Sequence, residues 1–115
     1  MSTKTEAQLA NEVLQEMGVI DAGETLSSGN SDFDRVVAAY ENKYAELSAH
    51  GLELTYWTMT AIPQSIFTIV RDLVINEVQG SFGNPMPAAD KAGQELIILR
   101  KLRRHTSVQA SGLPV

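Results

Sequence analysis

Apolar side chains recur every three or four residues over four separate stretches of the chain, and this spacing predicts four amphipathic α-helices. The predicted helices cover residues 4–17, 32–49, 63–79 and 87–104. The third stretch has the widest apolar face, so we expect the third helix to lie at the centre of the fold. The pattern predicts an all-α fold, a four-helix bundle with no β-sheet inside the subunit.

Start and stop signals bound the predicted helices. Thr3 and Glu6 have the spacing of an N-terminal capping box for the first helix. Pro63 suits the first position of the third helix, because its missing N–H would have no partner there. Gly18 and Gly51 follow the last apolar turns of the first two helices, where a glycine commonly ends a helix.

The segment 50–63, HGLELTYWTMTAIP, interrupts the helical pattern. Its apolar and polar residues alternate as they do in a strand. A lone strand cannot satisfy its own backbone N–H and C=O groups. We therefore expect an extended segment between the second and third helices that packs against the second helix or across a neighbouring subunit.

Apolar residues exceed what the core of a lone 115-residue bundle requires. The surplus lies in the extended segment and in the fourth helix, at Leu54, Tyr56, Trp57, Met59, Ile97 and Ile98. We predict that these residues form a contact between subunits. For Trp57, the pattern fits equally well with a side chain that fills the core of its own subunit.

The last ten residues, TSVQASGLPV, have too few apolar groups to fold alone. We predict a helical domain over residues 1–105 and an extended C-terminal docking arm over 106–115. Val108, Leu113 and Val115 are spaced like the anchors of an extended peptide that orders on a partner.

Charge is distributed unevenly along the chain, whose net charge is −5. Residues 1–53 hold ten acidic and three basic residues, whereas residues 54–115 hold four acidic and six basic ones. Four of the bases form a cluster just before the arm, namely Arg100, Lys101, Arg103 and Arg104. One or two of them compensate the helix dipole, and the cluster as a whole predicts docking to an acidic partner or to phosphates.

No residue pattern predicts catalysis. The absence of cysteine excludes disulfides, thiol catalysis and thiolate metal sites. His50 and His105 have no second ligand at metal-binding spacing, and the GSFGNP turn lacks the Lys and Ser/Thr of a phosphate-binding loop. We therefore predict that the chain is not an enzyme and has no metal or cofactor. No apolar run approaches the roughly 20 residues that span a bilayer, so we predict no membrane contact.

Four segments carry a family resemblance when taken in order: EVLQEMGVIDAGETLSS, YAELSAHGLELTYW, IPQSIFTIVRDLVINEVQGSFG and AADKAGQELIILRKLRR. This order resembles the head–tail connector proteins of tailed bacteriophages, also called adaptors, head-completion proteins or tail accessory factors. It is similar in particular to the packaged-DNA-stabilising adaptors of short-tailed phages. The resemblance covers about residues 5–105.

The resemblance implies a structural virion protein, made in the bacterial cytoplasm, that forms a ring of commonly twelve copies under the portal. Such an adaptor extends the DNA channel, helps retain the packaged genome and offers a platform to tail components. The implied partners are the portal protein, tail or tail-adaptor proteins, and double-stranded DNA that passes through without sequence-specific binding. The residues expected to dock on the portal are Arg100, Lys101, Arg103, Arg104, Val108, Leu113 and Val115.

Two other classes of protein fit parts of the pattern. A small helical interaction or regulatory module, such as an antitoxin-like protein, would use the same surplus apolar residues without assembling a ring. A nucleic-acid-binding domain would read DNA with the fourth helix. The acidic first half of the chain and the lack of a short helix-turn-helix argue against this last class.

Overall fold

The computed structural model describes residues 2–49, 55–83 and 85–111, with only the backbone for 106–111. Its α-helices are α1 (Glu6–Glu16), α2 (Ser31–Ala49), α3 (Phe67–Val78) and α4 (Ala88–Ser111). Short 3₁₀ helices flank α3 on both sides, at Gln64–Ile66 and Gln79–Phe82. The prediction of a mostly helical fold with four α-helices is confirmed.

A two-stranded antiparallel ribbon joins the start of the chain to the segment that precedes α3. Strand β1 (Thr3–Lys4) pairs with β2 (Ile62–Pro63), with Thr3 opposite Pro63. The prediction of no sheet inside the subunit is therefore wrong. The sequence predicted Thr3 as the cap and Lys4 as the first residue of the first helix, but the extended backbone at Ile62 and Pro63 offers them a partner.

The first helix begins two residues later than the capping signal predicts. Thr5, rather than Thr3, is the N-cap: its hydroxyl accepts a hydrogen bond from the backbone N–H of Gln8 at 3.1 Å. In return, Gln8 Oε1 accepts from the backbone N–H of Thr5 at 2.8 Å. A capping box therefore does open α1, and pairing with β2 moves it to Thr5 and Gln8.

Residues 55–61, which precede β2, are joined to α2 by hydrogen bonds. The hydroxyl of Tyr44 donates to the carbonyl of Trp57 at 2.6 Å, and that of Tyr40 donates to the carbonyl of Met59 at 2.7 Å. Trp57 Nε1 in turn donates to the Tyr40 hydroxyl at 3.1 Å. Two tyrosines of one helix thus take up backbone carbonyls that no sheet satisfies.

Helix α3 lies at the centre, in contact with α1, α2 and α4, as its wide apolar face predicted. The best-buried side chains of the core are Leu9, Val13, Leu14, Val36, Ile62, Ile66, Val70, Val74 and Leu102. Each contributes about 1.5–3 kcal/mol through removal of its apolar surface from water. Only Leu102 of this set comes from α4, and the half-buried Ile98 and Leu99 of α4 pack against the same core.

Polar contacts hold α1 and its following loop in place. Arg71 of α3 reaches Glu12 at 3.4 Å and Glu16 at 3.7 Å on α1. Asn11 forms two hydrogen bonds with the backbone of Leu26, accepting at 2.7 Å and donating at 3.1 Å. The loop between α1 and α2 is therefore fastened at Leu26.

Helix α4 continues past the predicted boundary at residue 104 and ends at Ser111. The extended arm predicted over 106–115 is not confirmed, because residues 106–111 are helical. The stretch TSVQAS contains neither glycine nor proline, the two residues that most strongly break helices. Residues 112–115, with the predicted anchors Leu113 and Val115, lie outside the described residues.

Two tyrosine hydroxyls make opposite predictions for stability. Tyr40→Phe removes a buried hydroxyl that both donates to the Met59 carbonyl and accepts from Trp57, so we expect a loss of about 1–2 kcal/mol in the free energy of unfolding. Tyr56→Phe is the matched control, because its hydroxyl is buried without a partner among the described residues. We expect it to be neutral or stabilising, as measured by urea denaturation. An equal loss in both variants would contradict these roles for the hydroxyls.

Candidate functional site

A buried lysine on α2 gathers carboxylates from three helices. Lys43 is 6% exposed, and its Nζ lies 2.6 Å from Glu95 on α4. The same nitrogen lies 3.5 Å from Glu77 on α3 and 3.4 Å from Glu46 on α2. Burial by itself would lower the pKa of Lys43, but the hydrogen bond with Glu95 and the charges of Glu77 and Glu46 outweigh it and raise that pKa. Lys43 therefore stays charged inside the fold.

Two further contacts continue this network along α4. Lys91 lies 3.8 Å from Glu77, and the side-chain amide of Asn76 donates to the Lys91 carbonyl at 3.1 Å. Together with Glu95, these contacts fix the first half of α4 against α2 and α3. The sequence analysis missed this network. Its signal was a lysine that follows Val36 and Tyr40 at helical spacing, on the apolar side of α2.

The outward side of α4 is apolar and uncovered. Leu96 is 57% exposed and Ile97 is 54% exposed, and both belong to the small set of large exposed hydrophobic residues. Their neighbours Ala89, Ala92 and Gly93 are exposed as well. The inward side of the same helix carries the half-buried Ile98 and Leu99 and the buried Leu102.

The predicted basic cluster continues this outward side toward the end of α4. Arg100, Lys101, Arg103 and Arg104 are all exposed. Within the described part of the chain, none of the four forms an ion pair. The structure thus places an apolar patch and four uncompensated positive charges side by side on one helix.

A groove of about 350 Å³ separates α3 from α4. It is lined by Ile75, Ile97 and Ile98 together with the polar side chains of Asp72, Asn76, Gln79 and Gln94. Ile97 and Ile98, two of the residues predicted at a subunit interface, therefore border the same groove. Ile97 is the more accessible of the pair.

The other predicted interface residues have different surroundings. Trp57 is only 7% exposed and packs edge-on against Tyr44 and Tyr56, at ring-centroid distances of 5.7 Å and 5.5 Å. Its position matches the alternative that the indole fills the core of its own subunit. Tyr56 and Met59 are half-buried. Leu54 lies outside the described residues.

The predicted docking residues beyond the cluster are only partly described. Val108 lies within α4 by its backbone, and its side chain is not described. His105, for which the sequence pattern predicts no metal-binding role, is half-buried. Among the described residues, no three histidine, aspartate or glutamate side chains are grouped so as to hold a metal ion. None of the helices described there is long and apolar enough to cross a membrane.

Two carboxyl groups, that of Glu6 at the start of α1 and that of Glu41 on α2, share an environment that favours protonation. Burial, and the hydrogen bond and charge of Glu41, raise the pKa of Glu6 from 4.5 to about 7. No N–H or hydroxyl of the described residues donates to the buried Oε2 of Glu6. Burial, and these two carboxyls, also raise the pKa of the nearby Tyr40 hydroxyl.

Comparison of the chain with known proteins gives no match to a family model, a curated protein or a solved structure.

The Lys43 network makes a prediction about stability. The Lys43→Met substitution removes the common counter-ion of Glu46, Glu77 and Glu95, which then repel one another. We therefore expect a loss of about 2–3 kcal/mol in the free energy of unfolding. This value is below that of a fully buried pair, because the carboxylates retain access to water. Hydrogen exchange should show faster opening of the first half of α4. The exposed Lys101→Met variant is the control, and an equal effect there would rule out the network as the cause.

The Glu6–Glu41 pair makes a prediction about pH. The folded state holds a proton on Glu6 that the unfolded chain releases near pH 4.5. The contribution of Glu6 to the free energy of unfolding is therefore fully present below pH 4.5 and is lost as the pH rises to about 7. A glutamine cannot ionise, so Glu6→Gln should remove this dependence of stability on pH. At pH 8 we expect its free energy of unfolding to exceed that of the wild type by on the order of 1 kcal/mol, because the group is half-exposed. Thermal melts from pH 4 to pH 8 measure it, with Asp90→Asn as the control. A slope that persists in Glu6→Gln would assign the effect to other groups.

Proposed function

We propose that the chain is a structural virion protein, a head-to-tail adaptor that forms a ring under the portal. In this role it extends the DNA channel, helps retain packaged DNA and provides the attachment platform for the tail. The resemblance in the order of its segments supports the proposal, as does the four-helix architecture. The partners are then the portal protein, further copies of the chain, and tail or tail-adaptor proteins.

The observation that carries the proposal is the uncovered side of α4. A lone globular subunit gains nothing from placing Leu96 and Ile97 more than half exposed beside four unpaired positive charges. An apolar patch with a charged rim is instead typical of a protein interface, in which the patch is buried and the charges fix the orientation. A protein whose task is attachment requires such a surface.

The proposed portal contact lies toward the end of α4 and beyond it. A helix of 24 residues is about 36 Å long, which is comparable to the longest dimension of the whole subunit, 39 Å. The basic cluster is therefore presented on a long helix rather than on a loop. Residues 112–115 follow it directly, with Leu113 and Val115 as proposed anchors on the portal surface.

The test combines the chain with the portal of the phage that encodes it. Cryo-electron microscopy of the mixture should show a ring of the chain beneath the portal, and mass photometry should give its copy number. A chain that remains monomeric, and binds one helical peptide rather than a portal, would point instead to a small regulatory module.

Truncation locates the portal contact. A variant ending at His105 retains Leu102, which is buried in the core, so we expect a helical circular dichroism spectrum and a melting temperature within a few degrees of the full chain. Portal binding should be lost. A second variant ending at Ser111 separates the helical residues 106–111 from the last four. Unchanged portal affinity of the shorter variant would remove the C-terminal segment from the docking surface.

A further inference from the structure

Exposed residues on α4 follow a regular spacing that runs through both its apolar and its basic part. Ala92, Leu96, Arg100 and Arg103 are separated by four, four and three residues, so they lie along one side of the helix. All four are exposed. This set, the α4 stripe, begins with a small residue, continues with a large apolar one and ends with two cations. Lys101 lies off the stripe.

A second exposed stripe on α2 has the complementary character. Asp34, Ala38, Glu41 and Ala45 are separated by four, three and four residues. Asp34, Ala38 and Ala45 are exposed, and Glu41 is half-buried. The two alanines leave the surface shallow enough for another helix to approach closely. The two carboxylates make this set, the α2 stripe, negative.

Neither stripe has its charges compensated by the described part of its own subunit. Asp34 and Glu41 form no ion pair there, and neither do Arg100 and Arg103. Glu6 adds a second carboxyl beside Glu41, and burial together with the Glu41 carboxyl raises the pKa of Glu6. A guanidinium at this position would satisfy both carboxyl groups.

We infer that the α4 stripe of one subunit packs antiparallel against the α2 stripe of a second copy of the chain. This inference rests on the proposed function, because it names the contact by which the ring would form. In this register Leu96 lies over Ala45, Arg100 faces Glu41, and Arg103 extends toward Asp34. The spacings agree, since residues 96–100 and 41–45 each span about 6 Å along a helix.

Charge complementarity selects a second copy in this arrangement over a symmetric pair of α4 helices. Two α4 stripes packed on each other would bury Leu96 but offer Arg100 and Arg103 no carboxylate from the stripe. The α2 stripe offers Glu41 at the height of Arg100 and Asp34 about one helical turn beyond the height of Arg103. When the α4 stripe and the α2 stripe of one subunit contact two different neighbours, the contact is heterologous, and repetition closes a ring or extends a filament.

The inference predicts that two blocked variants, each unable to assemble alone, form a heterodimer when mixed. The first carries Leu96→Gln and Arg100→Gln and retains a normal α2 stripe. Its altered α4 stripe has no carboxylate that could pair with the lysines of the second variant. The second carries Ala38→Lys and Glu41→Lys and retains a normal α4 stripe. We expect each to be monomeric in sedimentation velocity, and an equimolar mixture to give a one-to-one heterodimer and nothing larger. Melting temperatures of both variants confirm that they fold.

Single substitutions give the matched control. Arg100→Glu should lower the self-association constant at least about tenfold, whereas Lys101→Glu, the same change off the stripe, should lower it less than about threefold. Arg100→Glu combined with Glu41→Lys on one chain restores opposite charges and should recover assembly. If a charge reversal unfolds the protein, Arg100→Gln and Glu41→Gln repeat the comparison without adding charge.

Three outcomes would overturn the inference. Assembly of the variant blocked on α2, a mixture that stays monomeric while the wild type assembles, or equal effects of Arg100→Glu and Lys101→Glu would each exclude this contact. The proposed function fails separately. If both blocked variants still form a portal-bound ring, the adaptor role stands and only the inferred contact is excluded. If the wild type never assembles, alone or with portal, both the contact and the proposed function are excluded.

Discussion

The position of α4 depends on one buried cation. Helices α1, α2 and α3 share a continuous apolar core, whereas among the described side chains α4 contributes only Leu102 to its fully buried part. The first half of α4 is held instead by Glu95 on Lys43 and by Lys91 on Glu77. Removing a lysine from water is costly, and three carboxylates around one ammonium group offset that cost. Of these three carboxylates only Glu95 lies on α4, and the outward side of that helix carries Leu96, Ile97 and the basic cluster together with the exposed Asp90 and Gln94.

The segment that precedes α3 shows the same use of polar groups to position a part of the fold that lacks regular structure. Trp57 and Met59 cannot place their carbonyls in a sheet, because the ribbon ends at Ile62 and Pro63. The hydroxyls of Tyr40 and Tyr44 donate to these carbonyls instead, and the ring of Tyr44 packs edge-on against the indole. A single layer of aromatic side chains thus supplies both the hydrogen bonds and the apolar cover of the segment. The burial of Trp57 follows from this arrangement, so we leave it out of the proposed contact between subunits.

Periodicity predicted the existence and order of the four helices because each buries one apolar side, a property local to its own stretch of chain. The features that the sequence did not predict depend on residues far apart in the chain. Pairing with Ile62 moved the capping box from Thr3 to Thr5, and the role of Lys43 depends on Glu95, which lies 52 residues away. The end of α4 was missed for another reason: a polar composition was taken as a sign of extended chain, although TSVQAS lacks any helix-breaking residue. Of the candidate site, the sequence identified the basic cluster and Ile97, but it did not show that Arg100 and Arg103 share a stripe with Leu96.

The uneven charge of the chain takes on a structural meaning once α2 and α4 are compared. Excess acidic residues in the first half and the basic cluster near the end would be expected to attract each other within one subunit. The fold keeps them apart, because the inward side of α4 is already occupied by the Lys43 network and its arginines point away from the body. Attraction that is unsatisfied within a subunit remains available between subunits, where it favours unlike surfaces over like ones. An assembly driven in this way is directional, and direction is what a ring of identical subunits requires.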